Sequence, residues 1–309
     1  MKGYFIIVAS FLCVFTNVRS QIFSNIHGWP ANTNQRIESF LHATAIIKER
    51  KVAVFDCDGT LFGQVPHYLA DEALYSFAKT KYAGRKDSVS LAKMAIVKDL
   101  LEGDNVGEAY VKLRIAFFSG LSPRELEEIG RRCFLEKFQG KFYPEMRELL
   151  HNLEMFGFEI WVLTASPELL YQEIVHKNLG IPKNRILGVK SVITNGVVTD
   201  RIIAPVPQDE GKADALETFI KARPLLVAGN SRGDLEMMNR SVGLKIIVNP
   251  DDVKLQHGIH SGAMDGLTVK DYWERNGAIS VYCEDVRQGD TDYISHTWGI
   301  PPNRSNPQK

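Results

Sequence analysis

Six side chains of this 309-residue sequence have types and spacing that could do chemistry together: Asp56 and Asp58, Thr164, Lys212, and Asn230 with Asp234. Asp56 and Asp58 stand two apart, and carboxylates so close are costly to bury unless a cation or a proton lies between them. Asp56 could act as a nucleophile and metal ligand while Asp58 exchanges a proton. Equally, both could cap the turn that Gly59 opens, because Asp readily hydrogen-bonds local backbone. The Thr164 hydroxyl, beside the amides of a helix start, suits a phosphate oxygen, its plainer use being to satisfy backbone at a strand end. Lys212 offers an amine that could hold a phosphate against a carboxylate, although a single Lys near a helix start is usually solvated. Asn230 and Asp234 share a loop with Gly229 and Gly233, where Asp234 either reaches back to the site or complements a helix amino end.

Positioning these groups calls for strands that end where the residues begin. Residues 52–55 are a short continuous apolar run rich in β-branched residues, the pattern of a strand buried on both faces of a parallel sheet. Gly59 then lets the backbone turn, which delivers both acids to the carboxyl end of the sheet, where open α/β sheets bind ligands. Runs at 158–163, 225–228 and 244–248 repeat that pattern, and a weaker one lies within 277–283. Ser166, followed by Pro167 and Glu168, reads as the cap of a helix that extends to about 179. Asn195-Gly196 between 191–194 and 197–201 is a two-residue hairpin signal. Asn249 to Asp252 read as turn and cap residues.

Residues 68–82, 90–101, 107–118 and 123–138 are amphipathic helical stretches with no convincing strand among them. The last opens with Ser122, Pro123 and Glu125, a cap with proline in the first turn and a glutamate three residues on. A further helix is predicted over 36–48, with Ile37, Phe40, Leu41, Ala45 and Ile46 largely on one face, after a lead-in over 21–35. Helix 144–156 ends at Gly157. The fold expected is α/β, a Rossmann-like parallel sheet core (21–62 and 140–285) with an inserted α-helical cap (63–139) and a tail at 286–309.

Hydrophobic content of 44% supports a real core, and a formal net charge of zero gives no bulk electrostatic reason to expect nucleic acid as a partner. Residues 1–20 carry Lys2, an apolar run from Tyr4 to about Val18, and Ser20 before Gln21, the composition of a cleavable export signal. That run is shorter than the ~20 residues of a spanning helix, so no stable membrane anchor is expected after cleavage. Cys57, Cys133 and Cys283 remain after removal of Cys13. Cys57 reads as a small buried residue, and Cys133 with Cys283 is a possible bridge in an oxidising compartment. There is no zinc spacing and no internal repeat.

Taken in order, the sites at 56–60, 164–167, 212 and 229–234 resemble the four motifs of the haloacid dehalogenase superfamily over about residues 51–248. The Thr164-Ala165-Ser166-Pro167 run and the Gly229 to Met237 loop resemble its phosphoserine and phosphorylcholine phosphatase branch, which includes exported members. The resemblance implies a Mg2+-dependent phosphomonoesterase acting on a small phosphorylated substrate. In it Asp56 is nucleophile, Asp58 acid and base, Thr164 and Lys212 phosphate ligands, and Asp56, Asp58, Asn230 and Asp234 the metal set. A dehalogenase has no use for Asp58, which favours the phosphatase. A phosphotransferase would use the same residues, and a non-catalytic exported binding protein is the remaining alternative, favoured by Asn230 standing where an acid is more frequent. Exported relatives often carry Glu-Gln before a proline after the first motif, whereas this chain has Gly63, Gln64, Val65 and Pro66. Phe62, Gln64, His67 and Tyr68, which follow the nucleophile loop, are the expected leaving-group contacts.

Overall fold

The computed structural model describes residues 22–103 and 106–285. The predicted export signal (1–20) and tail (286–309) lie outside the described residues. Seven strands form one sheet: β1 (Lys51–Phe55), β2 (Phe158–Pro167), β3 (Ile186–Thr194), β4 (Val197–Ile203), β5 (Leu226–Gly229), β6 (Leu244–Val248) and β7 (Ile279–Val281). Their order is β4-β3-β2-β1-β5-β6-β7. All neighbours pair in parallel except β3 and β4, which form the predicted hairpin through Asn195 and Gly196, both at positive φ.

β1 is the middle strand, flanked by β2 on one side and β5 on the other. The chain therefore reverses its direction of travel across the sheet at β1, and such a switch point leaves a crevice at the strands' carboxyl ends. All five β1 residues are buried. Ala53 and Phe55 face one apolar cluster, and Val52 and Val54 face another on the opposite side, as strand alternation requires.

Ten helices accompany the strands among the described residues: α1 (Ala31–Thr44), α2 (Leu69–Lys81), α3 (Ser88–Glu102), α4 (Gly107–Phe118), α5 (Pro123–Cys133), α6 (Pro144–Met155), α7 (Glu168–Leu179), α8 (Glu210–Ala215), α9 (Leu235–Asn239) and α10 (Val269–Arg275). Helices α2 to α5 all fall between β1 and β2, and Phe134–Phe138 follows α5 as a wider π turn. The Ser122 capping box is formed, with its hydroxyl accepting from Glu125 N and the Glu125 carboxylate accepting from Ser122 N. This helical block shares the larger apolar cluster with β1, so it is packed down on the sheet. Gly130 of α5 lets that helix approach α7 closely: a Cβ there would lie 2.4 Å from the Leu170 carbonyl oxygen. None of these helices is long and apolar enough to cross a membrane.

Several expectations are corrected. Helix α1 spans Ala31–Thr44, so the end of the predicted lead-in, from Ala31, is helical and the predicted last turn is not. Buried Asn34 anchors the early start by accepting from Ile26 N and donating to the Ile26 and Trp29 carbonyls. Ile46, placed on the buried face by periodicity, is 85% exposed because the chain has already left the helix for β1. Strand β2 runs on to Pro167, beyond the apolar run. Cys133 and Cys283 are each buried and unbridged, and Cys57 is buried as expected.

Candidate active site

The fold brings all the motif residues to the carboxyl ends of β1, β2 and β5. Asp56 directly follows β1, and its amide donates to the Ala228 carbonyl of β5 at 3.0 Å. Its carboxylate accepts from Lys212 Nζ at 2.6 Å on Oδ1 and from Thr60 Oγ1 at 3.1 Å on Oδ2. Burial lifts the Asp56 carboxyl to about 7, with Lys212 opposing and Asp234 and Asp58 adding to the rise. Lys212 lies within α8, far from solvent, and its Nζ also reaches Asp234 Oδ1 at 2.6 Å. Burial disfavours this ammonium, but the two carboxylates outweigh it and raise its pKa.

Asp58 sits in a cup of hydroxyls. Ser166 Oγ donates to its Oδ2 at 3.0 Å and Tyr171 OH to its Oδ1 at 2.8 Å, while Thr164 Oγ1 is at 3.5 Å. Burial raises the Asp58 pKa against the opposing effects of Tyr171, Ser166 and Arg114. Asp56 and Asp58 thus have different partners, a cation for one and neutral hydroxyls for the other. Gly59, between the two acids and Thr60, has φ +86 and no room for a Cβ, which would lie 2.0 Å from Asn230 Nδ2. It lets the loop after β1 and the β5 loop touch.

A cleft of about 190 Å3 opens above these groups. Asp56, Asp58, Thr164, Lys212 and Asn230 line it from the sheet side, and Gln64, Tyr68, Tyr110 and Arg114 from the helical block. Two predicted leaving-group contacts, Phe62 and His67, are not among its lining residues. Phe62 instead packs its ring against Phe134, Phe138 and Phe142 at centroid separations of 4.8 to 6.1 Å, and His67 is buried. The chain bends inward at Phe62, so an aromatic side chain there belongs to the core. Thr164 lines the cleft, and its hydroxyl accepts from Ser166 N at 3.1 Å, which is the backbone-satisfying use.

Asp234, predicted as a metal ligand, has both oxygens committed to protein donors. Oδ1 accepts from Lys212, and Oδ2 accepts from the amides of Asn230 and Ser231 and from Ser231 Oγ at 2.9 to 3.1 Å. It is buried outside the cleft and holds Lys212 and the β5 loop in place. No cluster of three or more His, Cys, Asp or Glu side chains suited to a metal occurs among the described residues. The cleft still offers oxygens of the hard type that Mg2+ takes: the Asp56 carboxylate, the Asn230 amide and the Asp58 carbonyl would hold it, with water completing the shell.

Other residues of the site were not expected there from the sequence. Ser166 was predicted to cap α7, but that helix begins after Pro167 without a side-chain cap, and the hydroxyl turns to Asp58. Tyr171, one turn into α7, is visible only once the helix is docked. Arg114 reaches the cleft from α4, its Nη2 donating to the Ala165 carbonyl at 2.9 Å and its guanidinium lying over the Tyr110 ring at 4.3 Å. Asp71, which accepts from Tyr110 OH, stands 3.7 Å from Arg114 Nη1. Asp251, predicted as a turn residue, accepts from Val253 N as such residues do, and it also pairs with Arg232 at 3.0 Å on the cleft rim.

The chain is similar to known proteins. A phosphoserine phosphatase of Mycobacterium tuberculosis is 26% identical over 219 residues, covering 64% of this chain and 65% of that protein. A histidinol-phosphatase of Neisseria meningitidis is 23% identical over 222 residues, 65% of this chain and 91% of that protein. Solved structures of a Bordetella pertussis protein of unknown function and a functionally unknown Anaerococcus prevotii protein share the fold. Their TM-scores are 0.57 and 0.58 at 15% and 14% identity, covering 76% and 85% of this chain and 99% and 98% of theirs. The haloacid dehalogenase-like hydrolase family model matches residues 53–239, from within β1 to the end of α9 and thus across every motif that meets at the cleft, and the chain belongs to that family.

Proposed function

We propose that this protein is a Mg2+-dependent phosphomonoester hydrolase working through an aspartyl phosphate on Asp56. The observation that carries the reading is the unequal pair, Asp56 held by an ammonium at 2.6 Å and Asp58 held by neutral hydroxyls at 2.8 to 3.0 Å. An Asp56 carboxylate oxygen attacks phosphorus as the bond to the ester oxygen breaks, and that oxygen takes the proton held on Asp58. Asp58, now a carboxylate, removes a proton from water as the water oxygen attacks the aspartyl phosphate. The bond between phosphorus and the Asp56 oxygen breaks, freeing inorganic phosphate and restoring Asp56. Lys212 and Thr164 hold the phosphoryl oxygens, and Mg2+ bound at Asp56, the Asp58 carbonyl and Asn230 would neutralise their charge.

The substrate proposed is small, in keeping with a cleft of about 190 Å3. Residues 63–139 act as the cap whose side chains choose the leaving group, through Gln64, Tyr68, Tyr110 and Arg114. The Arg114 guanidinium favours a leaving group that carries a carboxylate, as phosphoserine does, over the quaternary ammonium of phosphorylcholine. The leader-like composition of residues 1–20 extends the proposal to an exported enzyme.

A panel of phosphomonoesters with Mg2+, and with EDTA as control, tests the reading. Phosphate release is expected with Mg2+ alone and fastest for carboxylate-bearing esters. Arg114→Lys, which keeps the charge but loses the planar fork, is expected to lower kcat/KM for those esters about tenfold relative to neutral ones. Release of no phosphate from any ester removes the proposal, and unchanged ratios in Arg114→Lys remove its substrate class.

A further inference from the structure

The chain crosses between sheet and helical block twice, outward through Gly63 to Val65 and back through Lys141. One carboxylate from beyond β7 holds both crossings. Asp285 Oδ2 accepts from the amides of Gln64 at 2.9 Å and Val65 at 3.2 Å, and its Oδ1 lies 2.9 Å from Lys141 Nζ. Lys141 also donates to the Val65 carbonyl, and its own carbonyl accepts from Gly63 N at 2.8 Å. Asp285 and Lys141 are both buried. Gly63 makes the approach possible, since a Cβ there would lie 2.4 Å from Asp285 Oδ1 and 2.6 Å from Lys141 Cε. Gln64 links this clamp to the cleft. Its side chain packs where a Cβ on Gly59 would be 2.7 Å from Gln64 Cδ, and it lines the cleft together with Asn230, whereas Asp285 does not.

We propose that Asp285 is a positioning residue that fixes Gln64 against the nucleophile loop and locks the two crossings, so that a segment outside the four motifs sets substrate discrimination. A buried ion pair is a poor general source of stability but a good means of selecting one geometry, and here the geometry selected is that of a cleft wall. The kinetic part rests on the phosphomonoesterase reading; the structural part does not.

Amide hydrogen exchange and kinetics on Asp285→Ala, Gly63→Ala, Gln64→Ala and the Asp285→Ala/Gln64→Ala pair test the clamp in the full chain. Exchange at Gln64 and Val65 is expected to quicken about tenfold in Asp285→Ala, the loss of a charged acceptor shared by two donors. Gly63→Ala, which displaces the carboxylate without removing it, should do the same. Asp285→Ala and Gln64→Ala should each shift the kcat/KM ratio between a carboxylate-bearing and a neutral ester about tenfold, and the pair should exceed the larger single effect by no more than about twofold. The proposal is overturned by unchanged exchange at the two amides, by acceleration spread evenly over the whole protein in both the Asp285 and Gly63 variants, or by single effects that multiply in the pair. If the parent turns over no phosphomonoester, the activity reading fails and exchange alone decides the clamp.

Discussion

At the scale of single residues, the partition between Asp56 and Asp58 makes a prediction about pH. Tyr171 and Ser166 stabilise the charged form of Asp58 and so restrain a rise that burial causes. Replacing Tyr171 by Phe removes one donor to a carboxylate, worth about 1.5 kcal/mol, or about one pH unit. The proton on Asp58 is then lost at higher pH, so the alkaline limb of kcat/KM should move up by about one unit; a limb that moves down contradicts the role of Asp58 as acid. The two acids, Thr164, Lys212 and Asn230 were legible because each lies beside a strand end or a glycine turn. Tyr171 and Arg114 were not, because a residue inside a helix gives no local sign of what its docked face will meet. Asp234 was legible as a site residue, and the fold adds its contacts with the Lys212 ammonium and the amides of Asn230 and Ser231.

At the scale of elements, helix starts divide into those written locally and those set by packing. The α5 start is of the first kind, and Ser122→Ala should cost about 1 kcal/mol of stability by denaturant unfolding while leaving kcat unchanged. A loss of activity at unchanged stability would show that α5 does more than pack against α7. The α7 start is of the second kind: Ser166, Pro167 and Glu168 look like a cap, yet β2 continues through Pro167 and gives the hydroxyl to Asp58. Helix α1 likewise begins early because buried Asn34 binds the backbone before it, a contact invisible to periodicity. The sheet strands were easiest to read, since a run buried on both faces is continuous and apolar; the exceptions are β2, whose last four residues run past the apolar run into the site, and β3, which starts at Ile186 and not at the predicted 191.

For the whole molecule, the cleft residues oppose the surface ones in how stability should follow pH. Burial raises the carboxyls of Asp56, to about 7, and of Asp58 and Asp71. A carboxyl with a folded value above its unfolded one binds its proton more tightly when folded. Its burial therefore costs stability above the folded value, and the cost fades as pH falls toward the unfolded value near ~4. Glu173, depressed to about 2 by Lys177 and Lys183, has the opposite sign, contributing above its unfolded value and losing that contribution as pH drops to about 2. Metal-free protein in EDTA should accordingly gain in Tm from pH 8 to about 5 and lose it below about 4; a Tm that falls steadily from pH 8 to 5 contradicts the buried-acid account. The overall topology was legible up to the placing of β1 at the centre of the sheet, which no single segment encodes and which follows only when β2 and β5 pair on opposite sides of it. The central claim, that this crevice makes a covalent phosphoenzyme, is tested most directly by quenching the protein in acid during turnover of a phosphomonoester and mapping phosphate by peptide mass. The account predicts phosphate on Asp56 in the parent, and neither adduct nor turnover in Asp56→Asn. Normal turnover by Asp56→Asn, or a phosphate adduct on another residue, would contradict it.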